Sequence, residues 1–295
     1  MTSPDAARSA LRELLDTLVD YAGLFPPASL PMRDAVRSFA EYRGSSMAWV
    51  LGRFIVPAAR LAELEEQLSE QFAGGAPWRI SVLAAAGDLA ALHDFNSRLA
   101  GRAVIDTVEA TATSDAEIAA LAVFSPAFAT YVEIPVSDEP GPLVIALKAH
   151  ALRAKLRTGG VIETAFPAPS EVARFLAACA AHEVPFKATA GLHHAWRGVY
   201  RLSYDPRSLA ATMFGFVNLF GAACFVHEGM TEREAIDLLE ERDPAAVTFD
   251  DEGIAWRGHR IGSARVRALR TRFAMSFGSC SFTEPVDGLA ALGLL

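Results

Sequence analysis

A chain of 295 residues, 52% hydrophobic and 21% charged, has the composition of a folded globular protein large enough to bury a core without disulfide or metal staples. Its net charge is −8 and no Lys/Arg block stands out, which argues against nucleic acid as the main partner. The three cysteines, Cys179, Cys224 and Cys280, lie far apart with no CxxC spacing, a pattern of reduced thiols that predicts a cytoplasmic location.

Taken in chain order, the N-terminal MTSPDAARSALRELL carries acidic residues and lacks the apolar core of a signal peptide. Ala6 to Val19 predicts a helix with Leu11, Leu14, Leu15 and Leu18 on one face. Asp20 to Met32, DYAGLFPPASLPM, reads as an ordered crossing loop and not a strand, because of its prolines and glycine. Asp20 and Tyr21 fit either a lid at a barrel mouth or a plug at its far end. Asp34 to Tyr42 predicts a second helix.

From Ser46 the chain alternates. Strands are expected in Met47–Pro57, Trp78–Ala86, Arg102–Ala112, Phe128–Val136, Ala154–Gly160 and Pro185–Gly191. Between them lie helices at Ala58–Phe72, Asp88–Leu99, after a Ser114 cap, at Pro142–Leu152 and at Ser170–His182. Six such units without a GxGxxG turn predict a TIM-like (β/α)8 barrel, in an α/β chain read as one domain: residues 1–45 form the N-terminal extension and 46–295 the barrel. Pro206 to Val226 predicts one long buried helix, too interrupted by Asn218 and small residues to read as a membrane span. Thr231 opens a further helix ending near Glu241, and Ala246–Ile261 predicts a hairpin around Asp250-Asp251-Glu252-Gly253. Arg265–Arg272 reads as helical, Phe273–Phe282 as the closing strand and Val286–Leu294 as a last helix. The pattern does not locate the seventh strand. A homo-oligomer is left open.

Side chains alternate along a strand, and the helix-facing side of a parallel barrel strand is apolar, so the polar set points inward. By this rule Glu109, Glu133, Lys155, Arg157, Lys187, Thr189 and His193 face the barrel interior, while the direction of Arg53 is ambiguous. They lie in the middle or C-terminal half of their strands, the end where barrel enzymes work. Lys155, Lys187, Glu133 and Glu109 are the candidate catalytic residues. Arg157, Thr158, Thr189, His193, Arg53 and Ser279 are the candidate substrate contacts. A lysine in an apolar barrel beside a second cation is expected to have a depressed pKa and to form a Schiff base with a carbonyl, with a glutamate relaying protons. The Thr-Gly endings of both lysine strands predict backbone approach to a small ligand.

The pair KLRTGG and FKATAGLHH, Lys155 to His194, resembles the deoxyribose-phosphate aldolase type of class I aldolase barrel. In that family a lysine of a Lys-x-x-Thr-Gly strand forms the Schiff base, and a second lysine one βα unit later tunes it. The resemblance implies Lys155 for the first role and Lys187 for the second. Arg157 and the second histidine have no place in the family pattern, and no Gly-Thr-Ser-type phosphate strand follows.

The expected reaction is therefore of lyase or aldolase type on a small anionic carbonyl compound, a carboxylate or a phosphate, without a cofactor. One rival is a metal-dependent lyase, isomerase or hydrolase that draws a divalent metal from Glu109 or Glu133 with His193, His194 and His227, although no HxH or HExxH pattern is present. Another is a non-catalytic barrel that binds a small anion or serves as a complex subunit. Cys280 reads as a buried thiol or a nucleophile, Asp250–Glu252 as a solvated turn, and Asn218 as a satisfied core amide or a substrate contact.

Overall fold

The computed structural model describes residues 9–71, 75–137 and 139–295. Helix α1 (Ser9–Leu15) leads into strand β1 (Val19–Tyr21), and α2 (Met32–Arg43) follows the proline loop. Then come β2 (Leu51–Pro57), α3 (Leu61–Gln71), β3 (Trp78–Leu83), α4 (Leu89–Arg98), β4 (Ala103–Thr111) and α5 (Asp115–Leu121). The alternation continues through β5 (Ala129–Glu133), α6 (Gly141–Ala149), β6 (Arg153–Arg157), α7 (Pro169–Ala181) and β7 (Phe186–Thr189). A hairpin, β8 (Gly198–Arg201) and β9 (Ala210–Met213), precedes α8 (Phe216–His227) and α9 (Glu232–Leu239). A small antiparallel sheet, β10 (Val247–Phe249), β11 (Gly253–Trp256) and β12 (His259–Gly262), precedes α10 (Ser263–Arg272), β13 (Ala274–Ser279) and α11 (Thr283–Ala291).

Eight parallel strands close in the order β1-β13-β7-β6-β5-β4-β3-β2, with helices around them: a TIM-like (β/α)8 barrel, as the alternation predicted. Outward positions such as Phe54, Ile80, Val132, Leu156, Phe186 and Phe277 are fully buried against the helices. Each such side chain contributes about 1.5–3 kcal/mol of burial. The caps read from sequence are present: Ser114 Oγ accepts the Glu117 amide, and Thr231 Oγ1 accepts the Glu234 amide in a capping box.

Two expectations are overturned. The segment read as a crossing loop contains β1, which pairs with both β2 and β13 and supplies the missing eighth strand. Its outward Tyr21 packs on Phe39 of α2, with ring centroids 6.2 Å apart, while Asp20 points inward. The buried Arg270 guanidinium, bonded to the carbonyls of Leu14, Asp16, Ala274 and Met275, ties this N-terminal segment to β13. The second correction concerns Pro206–Val226, which is not one helix. Its first part forms β9, and α8 begins only after Gly215. A Cβ at Gly215 would lie 2.3 Å from Asn218 Oδ1 and 2.4 Å from the Trp196 backbone, so the chain turns where only glycine fits. The Ala246–Ile261 hairpin is real but gains a third strand. Residues 6–8 and 72, placed in helices by their pattern, lie outside the described residues. Among the described residues no helix is long and apolar enough to cross a membrane.

Candidate active site

Inward positions on five strands build one chain of alternating charges. Lys187 Nζ lies 2.8 Å from Asp20 Oδ2 and 2.5 Å from Glu109 Oε1. Lys155 Nζ lies 3.0 Å from Glu109 Oε2 and 3.2 Å from Glu133 Oε2. Arg157 Nε closes the series 2.6 Å from Glu133 Oε1. The order is Asp20, Lys187, Glu109, Lys155, Glu133, Arg157, three anions and three cations. Register explains the meeting, because Glu133 pairs Lys155, and Lys155 pairs Lys187, at one level of the sheet.

Exposure rises along the series. The Lys187 and Asp20 side chains are 0% exposed, Lys155 is 6%, Glu133 is 13% and Arg157 is 52%. Hydroxyls complete the deepest pairs: Ser276 Oγ donates to Asp20 at 2.7 Å, and Ser81 Oγ donates to Glu109 at 2.7 Å. The Arg53 amide donates to Asp20 Oδ1 at 2.7 Å. Gly52 is required beside it, since a Cβ there would sit 2.3 Å from that same oxygen.

The electrostatics correct one expectation. Burial disfavours the Lys187 ammonium, but Asp20 and Glu109 outweigh it and raise the Lys187 pKa above its ordinary value. Lys187 is therefore a fixed cation, not a neutral amine. Burial likewise opposes the Glu109 carboxylate, but Lys187 and Lys155 dominate and hold its pKa below the usual range. These two shifts set a pH window for stability. The depressed Glu109 contributes above its unfolded value of about 4.3, and that contribution is lost as pH falls toward the folded value. The raised Lys187 contributes below its unfolded value of about 10.4, and that contribution is lost as pH rises toward the folded value. Both describe the same ion pair. Denaturant midpoints measured across pH are expected to hold between these limits and to fall on both sides.

Above the charge chain opens a cavity of about 410 Å³ whose lining includes Glu109, Lys155, Arg157, Thr189 and His193. Lys187 and Glu133 do not line it. The proline loop supplies Phe25, Pro26 and Pro27 to its wall, and the β8–β9 hairpin covers it with Tyr200, Leu202, Tyr204 and Met213. The proline loop thus lies at the mouth, and Asp20 lies deep inside. A more open cavity beside β2, β3 and β4 meets the first at Leu83, Glu109 and Lys155.

Three expected contacts are placed elsewhere. Arg53 faces inward but sits toward the N-terminal end of the barrel, 2.5 Å from Asp106, which also holds Arg79 at 2.7 Å. Thr158 is fully buried, and its hydroxyl donates to the Ala190 carbonyl at 2.5 Å, joining the ends of β6 and β7. Ser279 falls on the outward side of β13, one step out of phase with Ser276 and Gly278, and its hydroxyl accepts the Ser281 amide. The repeated Thr-Gly endings also have another reason. A Cβ at Gly191 would lie 2.9 Å from the Gly159 Cα, so these glycines let two loops touch each other.

At the mouth a second cluster gathers. His193 Nδ1 lies 3.1 Å from Glu284 Oε2 and 3.9 Å from Cys280 Sγ. The Tyr204 hydroxyl, carried by the hairpin, donates to Glu284 at 3.2 Å and lies 3.6 Å from Cys280 Sγ. His194 instead stacks on Tyr200 with centroids 3.5 Å apart. His227 packs on Phe273, at the start of the last strand and so at the opposite end of the barrel. His193, His194 and His227 therefore do not converge on one point, and among the described residues no group of three or more His, Cys, Asp or Glu is placed to hold a metal. Asn218 is a satisfied core amide: it accepts the Arg197 amide and donates to the Leu238 and Glu241 carbonyls. Asp250 pairs with Arg260 at a hairpin turn.

The inward rule did not reach Asp20, Ser81, Ser276, Tyr204 or Glu284. Asp20 carried a readable signal, one charge inside the apolar run Leu18-Val19-Asp20-Tyr21-Ala22, the same form as the two lysine strands. Tyr204 and Glu284 sit on the hairpin loop and at the start of α11, where no periodicity marks direction. No family model, no curated protein and no solved structure matches the chain.

Proposed function

We propose that the barrel is a lyase of aldolase type in which Lys155 forms a Schiff base with a small carbonyl compound. The observation that carries this reading is the position of Lys155: it is the one member of the lysine pair at the cavity surface, held between two carboxylates and backed by a fixed cation. Glu133 takes the ammonium proton, Glu109 stays ionised between Lys187 and Lys155, and the free amine adds to the carbonyl carbon. Loss of water from the carbinolamine leaves an iminium. The iminium accepts the electron pair of the breaking carbon–carbon bond as the departing fragment's hydroxyl loses its proton and becomes a carbonyl. Protonation of the resulting enamine and hydrolysis return the lysine. Lys187, tied to Asp20 and Glu109, holds the charge of Glu109 constant through these steps. Arg157 and Arg201, both at the rim, are the cations available to an anionic group of the substrate.

The test is borohydride reduction in the presence of a panel of aldehydes and keto acids, read by intact mass. A stable adduct mapped to Lys155 and lost in Lys155→Met is the expected result. No adduct with any member of the panel overturns the Schiff-base reading.

A further inference from the structure

Resting on that reading, we infer that His193 is a catalytic acid–base residue acting through Nε2, with Glu284 and Tyr204 as its positioning residues. The imidazole lines the same cavity as Lys155, one strand away. Its Nδ1 is engaged by Glu284 at 3.1 Å, while Nε2 has no hydrogen-bond partner among the described residues and is not sealed from solvent. A carboxylate on one ring nitrogen fixes the ring and its tautomer and leaves the other nitrogen for the substrate. The groups that face His193 come from every neighbouring element: Glu284 from α11, Cys280 from the end of β13, Tyr204 from the hairpin and His194 beside it in the chain.

Burial disfavours the imidazolium, but Cys280 and Glu284 outweigh it and raise the His193 pKa to about 9. The neighbouring His194 is lowered to about 4, by burial first and by the His193 charge second. His193 therefore enters the cycle as an acid. It donates its Nε2 proton to the carbinolamine hydroxyl, which leaves as water and generates the iminium. The neutral ring then takes the hydroxyl proton of the departing fragment as the carbon–carbon bond breaks, and becomes imidazolium again. No oxidant or further reactant is consumed. Because Tyr204 belongs to the hairpin that covers the cavity, its bond to Glu284 joins closure of the mouth to the positioning of this acid.

The test uses the full chain with glycolaldehyde as probe, in wild type, His193→Gln and Glu284→Gln. The rate of the borohydride-trappable Lys155 adduct is expected to fall about 100-fold or more in His193→Gln, and free imidazole should restore part of it. In Glu284→Gln, the His193 ring resonances, assigned by comparison with His193→Gln, should titrate at lower pH than in wild type. An adduct in wild type that forms equally fast in His193→Gln overturns the inference and leaves the Schiff-base reading standing. An unmoved His193 titration in Glu284→Gln overturns the positioning role. No adduct in wild type with glycolaldehyde or with any other member of the panel overturns the underlying reading and this inference with it.

Discussion

Lys187→Met is expected to destabilise the protein by about 3–5 kcal/mol, read as a lower denaturant midpoint at neutral pH. The methionine has nearly the shape of the lysine, so the loss is electrostatic. Asp20 has no other side-chain cation within salt-bridge distance among the described residues and keeps only Ser276 Oγ and the Arg53 amide. Glu109 keeps Lys155 and Ser81. One buried carboxylate is thus stranded, and removing one partner of a buried pair leaves an uncompensated charge whose cost exceeds the net worth of the intact pair. The double variant Asp20→Asn with Lys187→Met removes both charges and should recover much of the loss. A midpoint unchanged in the single variant would show that the pair does not bear on stability.

Lys155→Met is expected to separate chemistry from stability. Here each acid keeps a cation, Glu109 through Lys187 and Glu133 through Arg157, so the destabilisation should be no more than about 1–2 kcal/mol. The chemistry should fall far more. Enamine formation exchanges the protons next to the carbonyl of any compound the lysine binds covalently, and deuterium uptake measures it directly. That rate is expected to drop by at least about a thousandfold, as when the nucleophile of a covalent mechanism is removed. Exchange that persists in a folded Lys155→Met chain would remove Lys155 from the nucleophile's role. The contrast between the two lysines, one whose loss is structural and one whose loss is chemical, follows from which of them reaches the cavity.

Much of this arrangement is legible from strand parity alone. Lys155, Lys187, Glu109 and Glu133 could be aimed at the barrel interior because Leu156, Ala188, Val108 and Val132 had to face the helices. Two candidate contacts rested on position near a strand end and not on parity, and neither reaches the cavity. Ser279 is one residue out of phase on β13, and Thr158 lies just past the end of β6, where alternation no longer governs direction. The depressed pKa expected for Lys187 failed for a different reason. Burial was inferred correctly, but the sign of a buried lysine's shift depends on its partners, and Asp20 stood in a segment read as loop.

Local sequence determined the alternation of strands and helices, the barrel class, the helix caps and the inward set on the long strands. These follow from periodicities of 2 and 3.6 residues that each segment carries within itself. Only the tertiary structure decided that three residues beside a proline-rich loop close the barrel, because so short a strand has too few positions to show a period and is held by both neighbours, β2 and β13. The same holds for the cluster of His193, Cys280, Glu284 and Tyr204. Its members come from three separate segments, the loop after β7, the β8–β9 hairpin and the β13–α11 junction, and chain closure, which no local pattern records, brings them to one mouth.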